Sequence, residues 1–157
     1  MDAQQLSLIE DEDLGIAFCA DSQWTRVSSD GNEYFEFENK NHNLNVIMWR
    51  EKSAKSPTYF LEEMIKQQSL ASDENPFELL VDGKLALAAI GNCNEMRRPK
   101  KVLLIAVPTI EGYYMIRFKC PAECFREHRR MMSELVNAIR LVETLDPGHY
   151  FTSRINS

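Results

Sequence analysis

Alternating hydrophobic and polar positions near the start of the chain predict β-strands. Residues 14–20 alternate first, and residues 33–39 follow a turn-forming Asp-Gly segment. In the second strand Phe35 and Phe37 fall on one face, and the glutamates between and beside them fall on the other. A period of two is that of a β-strand. One apolar face opposite one charged face is typical of an antiparallel sheet with one side in water.

A third strand, residues 44–50, is expected to form a hairpin with the second across the polar turn at 39–43. Leu44, Val46 and Met48 share the face expected to be buried. The opposite face carries Asn45, Ile47 and Trp49. If helices cover only one side of the sheet, Ile47 and Trp49 belong to an exposed apolar patch, and such patches mark interfaces. If helices or the curl of the sheet cover both sides, the patch is buried, and the pattern leaves both arrangements open.

Four further hydrophobic runs predict a meander of strands in the second half of the chain. They are residues 77–81, 85–91, 102–107 and 113–120. The Asp82-Gly83 pair between the first two runs is a hairpin signal. The run 102–107 is apolar on both faces, which favours a central strand.

The hydrophobic period changes to that of a helix in two places. The first helix is expected to start at Ser56-Pro57, because Ser is a favoured cap and Pro is favoured at the first helical position. It should end near residue 70. The second helix is expected to start at Pro121. Its apolar stripe consists of Phe125, His128, Met132, Leu135, Ile139 and Val142.

These elements predict an α+β fold with an antiparallel sheet of about six to seven strands and two main helices. One helix lies between the first hairpin and the meander, and one long helix lies at the C-terminal end. No internal repeat or linker interrupts the pattern, so residues 1–157 are expected to form a single domain. Its ordered core should span about residues 14–145, with loose tails on either side.

Composition narrows the class of protein. The formal net charge of -6 argues against nucleic-acid binding, which requires clustered cations. No segment approaches the roughly 20 apolar residues of a membrane span, and the first five residues lack the basic and apolar regions of a signal peptide. With Met1 as the native start, a cytoplasmic location is expected. The four cysteines are then expected to be reduced thiols.

Three stretches carry a resemblance to a known fold. Residues 14–18, followed by Trp24, are similar to an opening strand and its Pro-x-x-Trp turn, although residues 21–23 lack the proline. Residues 56–61 are similar to the start of a first helix, and residues 113–123 are similar to a closing strand that leads into a long helix. Together they resemble the PsbP/Mog-like fold superfamily, including its bacterial DcrB-like branch.

The resemblance implies binding rather than catalysis. Members of this superfamily include a lumenal photosystem subunit, a nuclear partner of the Ran GTPase and chaperones of secretion effectors, and they share no active site. The chain is therefore expected to be a non-enzymatic protein-interaction module, such as a chaperone or adaptor. Its partner is expected to be another protein, and a homodimer is a further expectation. No functional residue is carried over from the family.

A basic segment offers a second candidate contact surface. Arg97, Arg98, Lys100 and Lys101 lie in what the pattern predicts to be a polar loop between two strands. On an acidic chain such a segment can receive an acidic partner. The alternative is a solvated loop whose charges discourage association at a strand edge. The predicted binding residues are thus Trp49 and Ile47 on the sheet face and these four basic residues.

The competing hypothesis is a thiol-dependent enzyme or redox protein that uses Cys120 or Cys124 with His128. A helix N-terminus stabilises a thiolate, and residues four apart share a helical face. Packing is the preferred interpretation, because Cys124 and His128 lie along an apolar stripe and the Cys-x3-Cys spacing is not that of a zinc site. His42 and His149 have no ligand spacing around them. No metal and no cofactor is expected.

Overall fold

The computed structural model describes residues 7–11, 14–20, 22–27, 34–72 and 74–141. The expectations for the turn at 28–32, for Glu33, for the end of the second helical stripe at Val142, for His149 and for the terminal tails lie outside these ranges.

Eleven strands and two helices make up the described part of the chain. The strands are β1 (Ser7–Asp11), β2 (Ile16–Ala20), β3 (Thr25–Val27), β4 (Tyr34–Asn39), β5 (Leu44–Lys52), β6 (Ala71–Ser72), β7 (Phe77–Val81), β8 (Lys84–Glu95), β9 (Arg98–Pro108), β10 (Gly112–Pro121) and β11 (Ile139–Leu141). The helices are α1 (Pro57–Gln67) and α2 (Phe125–Ala138), and a 3-10 turn, Ala122–Cys124, leads into α2.

The main sheet is antiparallel and has eight strands. Its order is β3-β4-β5-β10-β9-β8-β6, and β7 also pairs with β8. A second sheet of three strands has the order β1-β2-β11. The predicted α+β class is confirmed. The main sheet is slightly larger than expected because β3 and β6 have only three and two residues, which is too short to show an alternating pattern.

The larger core lies between the first face of the main sheet, the three-stranded sheet and α2. Phe18 of β2 meets Phe35 and Phe37 of β4 edge to face, with ring centroids 6.0 and 4.9 Å apart. All three rings are completely buried. Met132 and Leu135 of α2 belong to the same cluster. The face that the alternation assigned to the interior is therefore the one that α2 and the small sheet cover.

The smaller core lies on the second face of the main sheet, under α1. Phe60, Leu61 and Met64 pack on Leu104 and Met115 there. Because α1 and α2 lie on opposite faces, β9 is buried on both sides, which confirms the prediction of a central strand. The helix start is also confirmed, since Pro57 is the first residue of α1.

The second helix is shorter than its apolar stripe predicts. It ends at Ala138, and Ile139–Leu141 forms β11, which pairs with β2. The prediction of a helix continuing through Ile139 is therefore wrong. Ile139 is fully buried in the strand, so its hydrophobicity fits either element. Pairing with Phe18 of β2 decides between them.

Two polar segments are also strands. Residues 7–11 pair with β2 as β1, where the pattern predicts a loose lead-in. The predicted loop over residues 92–101 is instead the end of the long β8–β9 hairpin, with Glu95 opposite Arg98. Met96 and Arg97 form its two-residue turn at positive φ angles of 52° and 64°. Polar residues on both faces hide this extension, because an exposed hairpin end buries no apolar row.

Candidate functional site

An open groove of about 870 Å³ lies on the second face of the main sheet. Strands β4, β5 and β10 contribute its floor, and Gln68 at the end of α1 bounds it on one side. The lining consists of Leu14, Tyr34, Glu36, Ile47, Trp49, Arg50, Glu51, Lys52, Gln68, Thr109, Glu111 and Arg117. The second face is thus neither fully open nor fully covered, because α1 lies over β8 and β9 and leaves this part of the sheet accessible.

A row of large side chains crosses the floor of the groove. Tyr34 lies directly opposite Trp49 in the β4–β5 ladder, and Trp49 lies opposite Met115 in the β5–β10 ladder. Ile47 is two residues from Trp49 and therefore shares its face. The alternation along β5 is as predicted: Leu44, Val46 and Met48 are fully buried, while Ile47 and Trp49 are partly exposed.

Trp49 is held in place at both ends. Its indole N–H donates a hydrogen bond to Oε1 of Glu51 at 2.9 Å. Its ring packs against the cluster under α1. A tryptophan fixed in this way presents apolar surface to the groove with little conformational freedom to lose when a partner binds.

Arg117 is the cation at the centre of the floor. It lies on β10 opposite Ile47, and its Nη1 donates a hydrogen bond to Oε1 of Gln68 at 3.3 Å. Its Nε is buried without a hydrogen-bond partner among the described residues. Burial lowers the pKa of the guanidinium, and the carboxylate of Glu36 opposes that shift. The site therefore contains a partly desolvated positive charge with unused hydrogen-bonding capacity.

The carboxylate of Glu36 is oriented by its neighbour on β5. Asn45 Nδ2 donates to Oε2 of Glu36 at 2.7 Å. Towards the end of the groove Arg50 and Glu111 form an ion pair at 4.0 Å. Glu36 was expected on a solvated face, and it does lie on the face away from the main core, where it lines the groove. The rim therefore carries both signs of charge.

The basic residues at the end of the β8–β9 hairpin do not line the groove. Arg97 and Arg98 are exposed at and beside the turn. Lys101 places its ammonium group 5.5 Å from the ring centroid of Phe125, on the side of α2. Lys100 lies opposite Cys93 in the hairpin, one position from Lys101, and so faces the other way. The four cations are divided between two faces and do not form one patch with Ile47 and Trp49.

Cys120, just before α2, does not resemble a reactive thiol. Cys120 is buried, and this burial, together with the neighbouring Cys124, raises the pKa of its thiol to about 11. His128 is 7% exposed and contacts the ring of His42 at a centroid separation of 5.1 Å. In the part of the chain that the structure describes, no group of three or more His, Cys, Asp or Glu side chains is arranged to hold a metal ion.

Sequence reasoning predicted only Ile47 and Trp49 of the groove lining and missed the other residues, among them Tyr34, Gln68 and Arg117. A signal for Arg117 exists in the sequence. It lies between Ile116 and Phe118 and is one of two cations, with Lys119, in an otherwise mostly apolar central strand. Gln68 has no comparable signal, because its place depends on how α1 docks on the sheet.

The sequence matches no family model and no curated protein. Solved structures match along most of the chain. The Ran-binding protein Mog1p of Saccharomyces cerevisiae has a TM-score of 0.61 at 9% identity, covering 90% of this chain and 98% of that one. The cyanobacterial PsbP (CyanoP) of Synechocystis sp. PCC 6803 has a TM-score of 0.61 at 10% identity, covering 90% and 95%.

A third structure, LpqN of Mycobacterium tuberculosis, described as involved in cell envelope biogenesis, has a TM-score of 0.60 at 10% identity, covering 90% and 92%. This chain therefore has the PsbP/Mog1 fold, as the resemblance implied. The comparisons do not single out the DcrB-like branch. Among the described residues, no helix has the length and apolar character to cross a membrane. At these identities the likeness establishes the fold, and function has to be argued from the groove.

Proposed function

We propose that this chain is a non-enzymatic protein-interaction module that binds a segment of a partner protein in the groove beside α1. The observation that carries the proposal is the row formed by Tyr34, Trp49 and Ile47 next to Arg117 in an open groove. Trp, Tyr and Arg are the residues that dominate binding energy at protein interfaces. A mixed apolar floor with a charged rim is also the usual composition of such interfaces.

The chemistry of the groove favours one kind of ligand segment. Arg117 lines the groove as a partly desolvated cation whose Nε has no hydrogen-bond partner among the described residues, and a carboxylate is the acceptor that matches a guanidinium best. Trp49 and Ile47 flank that position with apolar surface. The segment proposed to bind therefore presents an acidic side chain next to a large hydrophobic one.

The polar groups of the groove suit recognition better than catalysis. The Glu36 carboxylate and the Trp49 indole are each hydrogen-bonded to a neighbouring side chain. Near α2, the raised pKa of the Cys120 thiol argues against a thiol enzyme that uses Cys120, because the thiolate is the nucleophile.

The structural neighbours also support a role in protein binding. Mog1p is described as Ran-binding, so at least one protein of this fold has a protein partner. The more specific parts of the proposal are that the chain acts as a chaperone or adaptor for a client protein, as in the DcrB-like branch, and that it does so in the cytoplasm. Self-association through the same groove is the homodimeric version of the proposal.

A peptide-display selection on the full chain tests the proposal. Peptides that bind are expected to share an acidic residue beside a large apolar one. Their affinity is expected to fall by about 30-fold or more in the Trp49→Ala variant, as at an interface hot spot. Leu80→Ala is the matched control, because Leu80 is 61% exposed and lies outside the groove. If selected peptides bind the wild type and Trp49→Ala equally well, the groove is not the binding site.

A further inference from the structure

Two histidines that are far apart in sequence meet where the β4–β5 turn contacts α2. His42 belongs to that turn, and His128 lies in the first turns of α2. Their ring centroids are 5.1 Å apart and their planes are inclined at 78°. His128 is 7% exposed, so this contact lies mostly inside the protein.

Two buried side-chain atoms in and beside this contact have no hydrogen-bond partner among the described residues. Nε2 of His128 is one, and Oδ1 of the completely buried Asn39 is another. Asn39 belongs to the same turn, because its carbonyl oxygen accepts the backbone N–H of His42 at 3.2 Å. Buried polar groups are nearly always satisfied, so unpartnered ones point to a ligand, an ion or a water at that place.

A thioether lies at the same turn. Met131 follows His128 by three positions on α2, which puts both side chains on one side of the helix. Its sulfur is 3.5 Å from Nδ2 of Asn39. His42, His128 and Met131 therefore lie around one turn, where the two rings contact each other and the sulfur contacts the Asn39 amide, whose Nδ2 also lies 3.4 Å from Oε1 of Gln23.

We infer that His42, His128 and Met131 form a binding site for a single soft metal ion, with Cu(I) the preferred ion. Two imidazoles that bind one ion at about 2.0–2.1 Å have ring centroids about 5 Å apart, which agrees with the His42–His128 separation. Imidazole and thioether donors suit copper, whereas Mg²⁺ and Ca²⁺ require oxygen ligands. The three ligands include no carboxylate or thiolate, so the harder Zn²⁺ should bind more weakly than Cu(I).

This site is independent of the groove. It lies on the first face of the main sheet, next to α2, whereas the groove lies on the second face. A failure of either hypothesis therefore leaves the other intact. The sequence patterns do not show the site, because His42 and His128 are brought together only by the docking of α2 on the turn.

The test is a titration of the ¹⁵N-labelled full chain with Cu(I), supplied as its acetonitrile complex in ascorbate and followed by NMR of the imidazole groups. Cys19, Cys93 and Cys124 are replaced by Ser, because these accessible thiols also bind Cu(I). We expect the resonances of His42 and His128 to shift together and saturate at one equivalent. His149, the third histidine of the chain, is the internal reference and should not shift with them.

Competition with the Cu(I) chelator bicinchoninate gives the affinity. His42→Gln changes a partly exposed turn residue and Met131→Leu conserves volume, so both variants should keep the wild-type circular dichroism spectrum. Each is expected to lower Cu(I) affinity at least tenfold. The inference is overturned if the His42 and His128 resonances do not shift, if Met131→Leu binds Cu(I) like the parent, or if Zn²⁺ binds as tightly as Cu(I).

Discussion

The carboxylate of Asp82 accepts a hydrogen bond at 3.0 Å from the backbone N–H of Leu141. Asp82 forms the turn between β7 and β8, and Leu141 ends β11. The other carboxylate oxygen of Asp82 lies 3.8 Å from Nε of Arg140. This contact ties the small sheet to the edge of the main sheet.

Replacing Asp82 with Ala should therefore loosen β11. The variant loses the hydrogen bond and also places Ala at a positive φ of 51°. Hydrogen bonds to charged groups contribute about 1.5–3 kcal/mol, so we expect the free energy of unfolding to fall by about 2 kcal/mol. Asp82→Asn is the control, since Asn keeps an acceptor and tolerates this backbone conformation. Urea denaturation measures both, and an equal loss in the two variants would contradict the role assigned to the hydrogen bond.

Gly112 and Gly83 allow a second matched comparison. At Gly112, φ is +157°, and an added Cβ would overlap the backbone oxygen of Glu51 on β5. We expect Gly112→Ala to cost about 3 kcal/mol or more, because backbone atoms of a central strand pair cannot move aside. At Gly83, φ is +75° and nothing lies within 4 Å of the position of a Cβ, so Gly83→Ala should cost only about 1–2 kcal/mol of backbone strain. Thermal unfolding of both variants shows which loses more stability. A smaller loss for Gly112→Ala than for Gly83→Ala would refute the argument.

Replacing Arg117 with an apolar residue is expected to weaken peptide binding without lowering the stability of the fold. Its burial is incompletely compensated, and apolar groups in place of such a charge are often neutral or stabilising. Arg117→Met should therefore leave the free energy of unfolding unchanged or raise it by about 1 kcal/mol, while it weakens binding of acidic peptides. Arg130→Met is the control, because Arg130 is exposed and pairs with Glu134 on the same helix. Destabilisation of Arg117→Met by more than 2 kcal/mol would show that the guanidinium is structurally required.

Because the Cys120 thiol is buried, we expect the folded protein to lose stability in alkaline solution. Burial raises its pKa in the folded protein from an ordinary value near 9.0 to about 11. In the unfolded chain the thiol ionises first, so the stabilisation from the neutral buried thiol is complete below pH 9. It is then lost as the pH rises from about 9 to about 11. Tyr113 shifts in the same direction, also through burial, so the wild type has to be compared with Cys120→Ala.

Denaturation curves between pH 8 and 11 provide the measurement. The wild type should lose more stability than Cys120→Ala over this range. In the native protein at pH 8, Cys19 should react rapidly with a thiol reagent and Cys120 should not, because Cys19 is exposed and Cys120 is buried. Identical pH profiles for the two proteins, or rapid labelling of Cys120, would show that the thiol is not held neutral by the fold.

Local sequence determined the elements whose own residues carry a repeating pattern. Phe35 and Phe37 marked the buried face of β4, and Val46 and Met48 marked that of β5, because side chains alternate across a strand whatever the strand packs against. Pro57 marked the start of α1, because proline is favoured at the first helical position. These patterns, together with the resemblance to the PsbP/Mog-like superfamily, were enough to predict the fold.

Tertiary contacts decided the rest. Ile139 is apolar enough for a helix or a strand, and only its pairing with Phe18 made it part of β11. The groove exists because α1 docks over β8 and β9 and leaves Trp49 at its border, a choice of position that no local period encodes. The contact of His42 with His128 likewise depends on where α2 rests on the β4–β5 turn. Sequence periodicity specifies which face of an element is buried, whereas the partner that buries it is set by packing among elements distant in the chain.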